Sequence, residues 1–418
     1  MSREQLEVVL EDTTLGPLIQ VGMLSCDRRG AHEAISFSYS TDWLATKWAF
    51  AIDPELPLGP GSFYPGAGRS LFGVFRDTAP DRWGRVLMER REAMEAQEVD
   101  RKVRRLTDWD FLTGVSDITR MGALRLREPD GDRRYVDPRA RGAPPATRLR
   151  ELEAIARELG KEGVEERPEY VQWLRQLLAP GTSLGGARPK ATFSTEGGDL
   201  WLAKFPAQDD RRDVGAWEHL AYSLAGAAGV DMPPAKLYRF GSEYRTFAVR
   251  RFDRDQSTRR LYASAMTLLG LNDGAEGSYL DIAQTIQNMG DPAGIAADLE
   301  QLYRRILFSI LIGNRDDHLR NHGFLRSPGG WRLAPAFDIN PNPDKAMHTL
   351  AIDEADPRPS VRNLRATAPY YRLQPGQANQ IEMQVRNAVV NWRTHARALG
   401  LTGAALSQLE GVIDETRA

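Results

Sequence analysis

GNRDDHLRNHGF, residues 313–324, sets an acidic pair, two histidines and two asparagines into one short segment directly behind the apolar-striped run LYRRILFSILI, residues 302–312. The periodicity of that run predicts a helix, so a buried helix is aimed at a very polar loop. Asp316 and Asn321 stand five apart in N-R-D-D-H-L-R-N. Phosphoryl transfer to a hydroxyl needs a base for the acceptor proton and an amide or carboxylate oxygen for a divalent cation. One loop with this spacing can supply both. A second metal ligand should follow on a nearby strand, and WRLAPAFDINP (331–341) provides Asp338, 17 residues after Asn321. Two protein oxygens are enough for Mg²⁺, because water and nucleotide phosphates complete its octahedron. An acidic pair alone reads as a helix cap or a surface loop; Asn321 and Asp338 at matching spacing lift it above that.

Phosphates must also be held. TSLGGARPKATF (182–193) offers Ser183, Gly185 and Gly186, then Lys190. Small residues let backbone N–H groups approach phosphate oxygens, and lysine adds charge. The spacing is neither Walker A nor G-x-G-x-x-G, and a Gly-Gly pair alone is usually a turn. Lys204, on the strand-like WLAKFP (201–206), is the better candidate for α/β-phosphate contact, and Glu218 on the following helix is a possible partner for it. TFAVRRFDR (246–254) reads as a strand running between lobes. Backbone groups around Arg251 and Phe252 are placed to face an adenine edge, and Asp253 to accept from a ribose hydroxyl; the plain alternative is a strand with Phe252 in the core. His318 lies where it could touch the nucleotide, whereas His322 and His348 read equally well as structural. No His/Cys set has zinc-site spacing, and a Ser–His–Asp hydrolase would need a G-x-S-x-G elbow that is absent.

The 418 residues are too many for one ordinary domain, and 41% apolar with 27% charged residues is a globular composition. A formal net charge of −2 provides no global field for nucleic acid, so any DNA contact is expected to be indirect, through a partner. Cys26 is the sole cysteine, which excludes an internal disulfide and fits a reducing compartment. MSREQLEVVLEDTT (1–14) lacks the basic-then-apolar order of a signal peptide, and no apolar run approaches the roughly 20 residues that span a bilayer. A cytoplasmic protein without membrane partners is expected. Residues 127–148, rich in Arg, Pro and Gly, read as a linker or exposed loop. Strand-like LEVVL and AISFSY, then helical text such as DRWGRVLMERREAMEA (81–96), precede them. From about residue 258 the text is mostly helical, including a run from Gln377 to Ala398. The expected fold is α/β (α+β) and two-lobed, protein-kinase-like, with a mixed N-terminal part and a mostly helical C-terminal lobe. Its expected divisions are an N-terminal subdomain (1–145), an N-lobe with the phosphate loop (146–255) and a C-lobe with the catalytic loop (256–418).

With these pieces in order, the chain resembles the HipA-type toxin kinases, the Ser/Thr kinases of bacterial type II toxin–antitoxin systems. GMLSCDRRGAHEAISFSYSTDWLA (22–45), LFGVFRDTAPDRWGR (71–85) with its F-x-x-x-x-P-D helix start, and DFLTGVSDITRMGALRL (110–126) are similar to that family's N-terminal subdomain. SLGGARPKATF, WLAKFP, AVRRFDR, NRDDHLRN and LAPAFDINP are similar to its kinase part. The resemblance implies ATP and Mg²⁺ as cofactors. It implies Asp316 as the base, Asn321 and Asp338 as metal ligands, and Lys204 as the phosphate-contacting lysine. By the same likeness Gly185, Gly186, Ala187, Arg188 and Lys190 form the phosphate loop. Arg251, Phe252 and Asp253, with His318, make the remaining nucleotide contacts. Ser183 falls where the family autophosphorylates; nearly two added negative charges would expel the loop from a phosphate site and shut the kinase down. The implied substrate is an aminoacyl-tRNA synthetase and the implied partner a helix-turn-helix antitoxin. Two positions depart from the best-studied family toxin, which has Glu at Arg250 and Gly at Asp317; the latter change puts an extra carboxylate beside the base, able to raise its pKa or recruit metal. The alternatives are a small-molecule kinase and a pseudokinase that docks a repressor without chemistry.

Overall fold

Alternating SREQLEVVL at the chain start forms the centre of an antiparallel sheet. In the computed structural model, which describes residues 2–29, 32–129, 134–136, 142–178, 188–255 and 258–414, the chain falls into two units. These are residues 1–209 with 253–263, and residues 210–252 with 264–418.

In the first unit, β1 (Ser2–Leu10), β2 (Ile19–Arg29), β3 (His32–Tyr39) and β4 (Leu124–Arg127) form a sheet in the order β3-β2-β1-β4. Period-2 patterning puts Leu6 and Val8 of β1 and Ile35 and Phe37 of β3 inside. Phe37 meets Tyr39 edge-on at 4.9 Å, and the Tyr39 hydroxyl, which would otherwise be stranded in the core, donates to the Leu56 carbonyl at 2.6 Å. The run expected as a helix spans Arg82–Glu98, capped by Asp81, whose carboxylate accepts from the Gly84 N–H at 2.7 Å. A hairpin of β5 (Lys190–Ser194) and β6 (Leu200–Lys204) follows the helices Leu149–Leu159 and Tyr170–Leu178.

The stretch 253–263 is stitched into this same unit. Arg259 reaches Glu11 at 3.2 Å and Asp117 at 3.3 Å, and the Leu261 N–H donates to buried Asp12 at 2.8 Å. Unlike-charged groups far apart in sequence hold this segment in the first unit, which no local composition shift announces.

The second unit is mostly helical. It contains the helix Val214–Ala227, an antiparallel pair of β7 (Ala235–Tyr238) and β8 (Thr246–Arg250), the helices Tyr279–Met289, Ile295–Ile312 and Pro375–Val389, and the hairpin Gly323–Leu333. The run from Gln377 to Ala398 is helical to Val389 and again from Trp392, whose indole is buried in the core. Every residue from Leu302 to Ile312 is buried. Two arginines in that stretch must then bond locally: Arg304 donates to the Ala228 carbonyl at 2.9 Å, and Arg305 to the Ala334 carbonyl at 2.7 Å. Burial pushes the Arg305 guanidinium down to about 10, even with Asp231, Asp298 and Asp317 opposing the shift.

The helix stops at Gly313, whose φ of 71° is left-handed. A Cβ there would also lie 2.3 Å from Val412 Cγ1 and 2.9 Å from the Val412 carbonyl oxygen. Gly313→Ala is therefore expected to lose about 2–5 kcal/mol, the sum of left-handed strain and overpacking. Chemical denaturation checks this; a loss below about 1 kcal/mol would mean the helix end is looser than the packing implies.

Candidate active site

Beyond Gly313, the polar loop is held by a small set of backbone bonds. Asn314 is buried: its N–H donates to the Ser309 carbonyl at 2.9 Å, its Nδ2 to Ser309 Oγ at 3.2 Å, and its Oδ1 accepts from the Asn340 N–H at 3.2 Å. The Asn342 N–H donates to the Gly313 carbonyl at 2.8 Å. Asn314 thus ties the D-I-N-P-N segment, which starts at Asp338, to the start of the loop that carries Asp316. Sequence reading assigned Asn314 no role and missed this tie.

Asp316 is exposed, and its carboxylate is paired with the ammonium of Lys345. Asn321 ends a short 3-10 turn, and its Nδ2 donates to the Asp316 carbonyl at 3.3 Å, which leaves the amide oxygen for another partner. Asp338 is half-buried in a left-handed conformation, φ 57°, with its N–H donating to the Tyr222 hydroxyl at 3.3 Å. Such a backbone costs a non-glycine residue about 1–2 kcal/mol and persists where the surroundings over-determine it. Those surroundings are visible: Arg305 holds the Ala334 carbonyl, the Ala336 N–H donates to Asp231 at 2.8 Å, and Phe337 packs on Phe252 with ring centroids 5.2 Å apart. Phe252, half-buried in the turn just beyond β8, is thus a support for the Asp338 segment.

Asp317 turns inward. The Tyr279 hydroxyl donates to its Oδ2 at 2.8 Å, and His322 Nε2 lies 3.0 Å from its Oδ1. The carboxylate is therefore engaged in the interior, and the suggestion that it recruits metal finds no exposed oxygen to rest on. Burial by itself would raise the Asp317 carboxyl, but His322, the Tyr279 hydroxyl and His348 together hold it below the ordinary value of 3.8. A folded value below the unfolded one gives a stabilising contribution that is full above pH 3.8 and drains away as pH falls through the folded value. Asp317→Asn should cost about 1–3 kcal/mol at neutral pH, a gap that narrows below pH 3.8 in denaturation curves.

His318 is half-buried, and its Nδ1 is a buried atom without a hydrogen-bond partner among the described residues; the same holds for Asn340 Oδ1. Unsatisfied buried polar atoms beside Asp316 and Asp338 fit a site built to receive something polar. Among the described residues no group of three or more His, Cys, Asp or Glu side chains converges. A cation here would take one amide oxygen from Asn321 and one carboxylate from Asp338, a hard oxygen set that suits Mg²⁺.

The residues read as nucleotide contacts fare differently. Ser183, Gly185, Gly186 and Ala187 lie outside the described residues. Arg188 is half-buried and donates to the Phe205 carbonyl at 3.4 Å. Lys190 is buried, and its ammonium lies 2.8 Å from the Asp81 carboxylate. This ion pair engages the Lys190 ammonium inside the first unit. Lys204 is half-buried at the end of β6, directly across the ladder from Lys190. Arg251 is buried. Asp253 is only 1% exposed, and its carboxylate accepts from the Gly122 N–H at 2.8 Å and from Arg254 at 2.5 Å. Both bonds fall on its Oδ2, within the first unit. Glu218 is buried on the helix Val214–Ala227.

Among the described residues no helix is long and apolar enough to cross a membrane. Comparison with known proteins places the geometry among relatives. Residues 182–393 match the HipA-like C-terminal domain, and residues 6–127 match the HipA N-terminal domain. A putative kinase of Haemophilus influenzae is 28% identical over 210 residues, 44% of this chain and 60% of that protein; the chain thus spans less than two thirds of that curated relative. The HipA of Shewanella oneidensis MR-1, solved with HipB and its operator DNA, superimposes with a TM-score of 0.61 at 17% identity, covering 97% of this chain and 94% of its own. At that identity the likeness is one of fold.

Proposed function

We propose, for a chain that belongs to the HipA family, that it is an ATP- and Mg²⁺-dependent protein serine/threonine kinase acting as the toxin of a toxin–antitoxin pair. The observation that carries this reading is the exposed carboxylate of Asp316, with Asn321 bonded to its backbone and the Asp338 segment tied to its loop through Asn314. A base and two oxygen ligands on one buttressed loop system are what transfer of a γ-phosphoryl group to a hydroxyl asks of a protein.

Asp316 accepts the proton of the acceptor hydroxyl as the new O–P bond forms, the bond to the leaving ADP oxygen breaks, and ADP departs. Asn321 and Asp338 would hold Mg²⁺, which when bound offsets charge on the β- and γ-phosphate oxygens. His318 lies two residues from the base, and its buried Nδ1 has no hydrogen-bond partner among the described residues. The helix Ile295–Ile312 is the rigid element under the loop, and the burial of every residue from Leu302 to Ile312 gives the fixed placement that such a site needs. The proposed acceptor is a translation component such as an aminoacyl-tRNA synthetase, with Ser183 as the self-limiting site. The proposed partner is a helix-turn-helix antitoxin, through which alone DNA would be contacted; the Shewanella relative was solved with HipB and operator DNA.

Incubation of a cell extract with γ-labelled ATP and the purified chain tests the reading. Label is expected in the protein fraction and to depend on Mg²⁺. Label confined to small molecules would replace it with a small-molecule kinase, and nucleotide binding without any transfer would replace it with a pseudokinase.

A further inference from the structure

Lys345 stands seven residues after Asp338, at no spacing that marks it, yet its ammonium is on the Asp316 carboxylate. The two side chains are 45% and 57% exposed. A pair that exposed contributes about 0–1 kcal/mol, too little to explain it as a brace for the fold. The contact is nevertheless built in. The Lys345 carbonyl accepts from Arg315 Nη1 at 2.5 Å, and the Thr349 N–H and Oγ1 both donate to the Arg315 carbonyl, at 3.1 and 3.2 Å. Lys345 Nζ also donates to Thr349 Oγ1 at 3.3 Å. On the other side, Asp344 is paired with Arg212 at 2.5 Å. Residues 344–349 are thus laced to the residue immediately before the base, and the lysine arrives at Asp316 through a scaffold.

We infer that Lys345 is a positioning residue for Asp316, an inference that rests on the kinase reading above. Asn321 fixes the backbone carbonyl of Asp316 and Lys345 fixes its side chain. One carboxylate oxygen is occupied by the ammonium, and the other is presented to the acceptor hydroxyl. An exposed aspartate without that tether would sample several rotamers, and misplacement of a reacting group by about 1 Å can cost about 10²-fold in rate. The held cation also sits beside the point where charge develops in the transfer, and it needs no reorganisation to do so.

The test uses the full chain with γ-labelled ATP and the chain itself as acceptor, comparing wild type, Lys345→Ala, Lys345→Arg and, as the baseline, Asp316→Asn. Lys345→Ala is expected to lower kcat about 10–100-fold while the KM for ATP stays within about threefold and the thermal midpoint is unchanged. Lys345→Arg, which keeps a cation on the same scaffold, should recover a large part of the loss. A wild-type kcat in Lys345→Ala, or a loss that falls on the KM for ATP with kcat intact, overturns the positioning role while leaving the kinase reading standing. If wild type itself transfers nothing, either to the chain or to protein in a cell extract, the kinase reading fails and this inference fails with it.

Discussion

Asp316→Asn is expected to lower phosphoryl transfer by about 10³-fold or more, with Mg·ATP affinity within about threefold of wild type. The amide is nearly the same shape as the carboxylate, so the Asn321 bond to the backbone carbonyl is untouched. What is lost is the ability to take the acceptor proton, together with the charge that pairs with Lys345. Because that pair is exposed, folding stability should change by no more than about 0.5 kcal/mol. Single-turnover transfer and nucleotide titration on the same preparation separate the two effects. A variant within tenfold of wild type would remove Asp316 from the role of base.

The second large effect is on stability and concerns Lys190. Its side chain and that of Asp81 are almost wholly buried and 2.8 Å apart, with Asp81 also capping the helix Arg82–Glu98. Burial pushes the Asp81 carboxyl up, although Lys190 and the Gly84 N–H oppose the shift. The desolvation cost of such a pair is large, so removing one partner strands a charge. Lys190→Met should therefore destabilise the chain by about 3–5 kcal/mol, and the double variant Lys190→Met with Asp81→Leu should regain much of that. Recovery should stop short by about 1 kcal/mol, the worth of the lost helix cap. If instead Lys190→Met folds normally and loses only nucleotide affinity, Lys190 is a phosphate ligand as the sequence suggested, and the buried pair matters little.

The contrast between these residues shows what sequence carries. The loop from Asn314 to Asn321 was legible because its chemistry is written in local spacing, and the helix before it because an apolar stripe followed by glycine has few other readings. Tyr279–Met289 was legible for the same reason. Lys190 and Asp81 are 109 residues apart, and nothing in either neighbourhood says that one neutralises the other. Asp253 reads as a ribose acceptor because exposure cannot be read from a strand end; in the structure its Oδ2 accepts from Gly122, in a distant part of the chain, and from the adjacent Arg254. Lys345 was missed because a lysine in a proline-rich turn is ordinary surface text. Only the folded path of residues 344–349 brings it to Asp316.

The central claim is that the Asp316 loop transfers phosphoryl groups to protein. Its most direct test is intact mass with phosphopeptide mapping of the wild-type chain, expressed free of prior modification, after incubation with Mg·ATP. The account predicts added phosphate on Ser183 in wild type and none in Asp316→Asn. A wild-type chain that binds Mg·ATP but acquires no phosphate, and labels no protein in a cell extract, would contradict it.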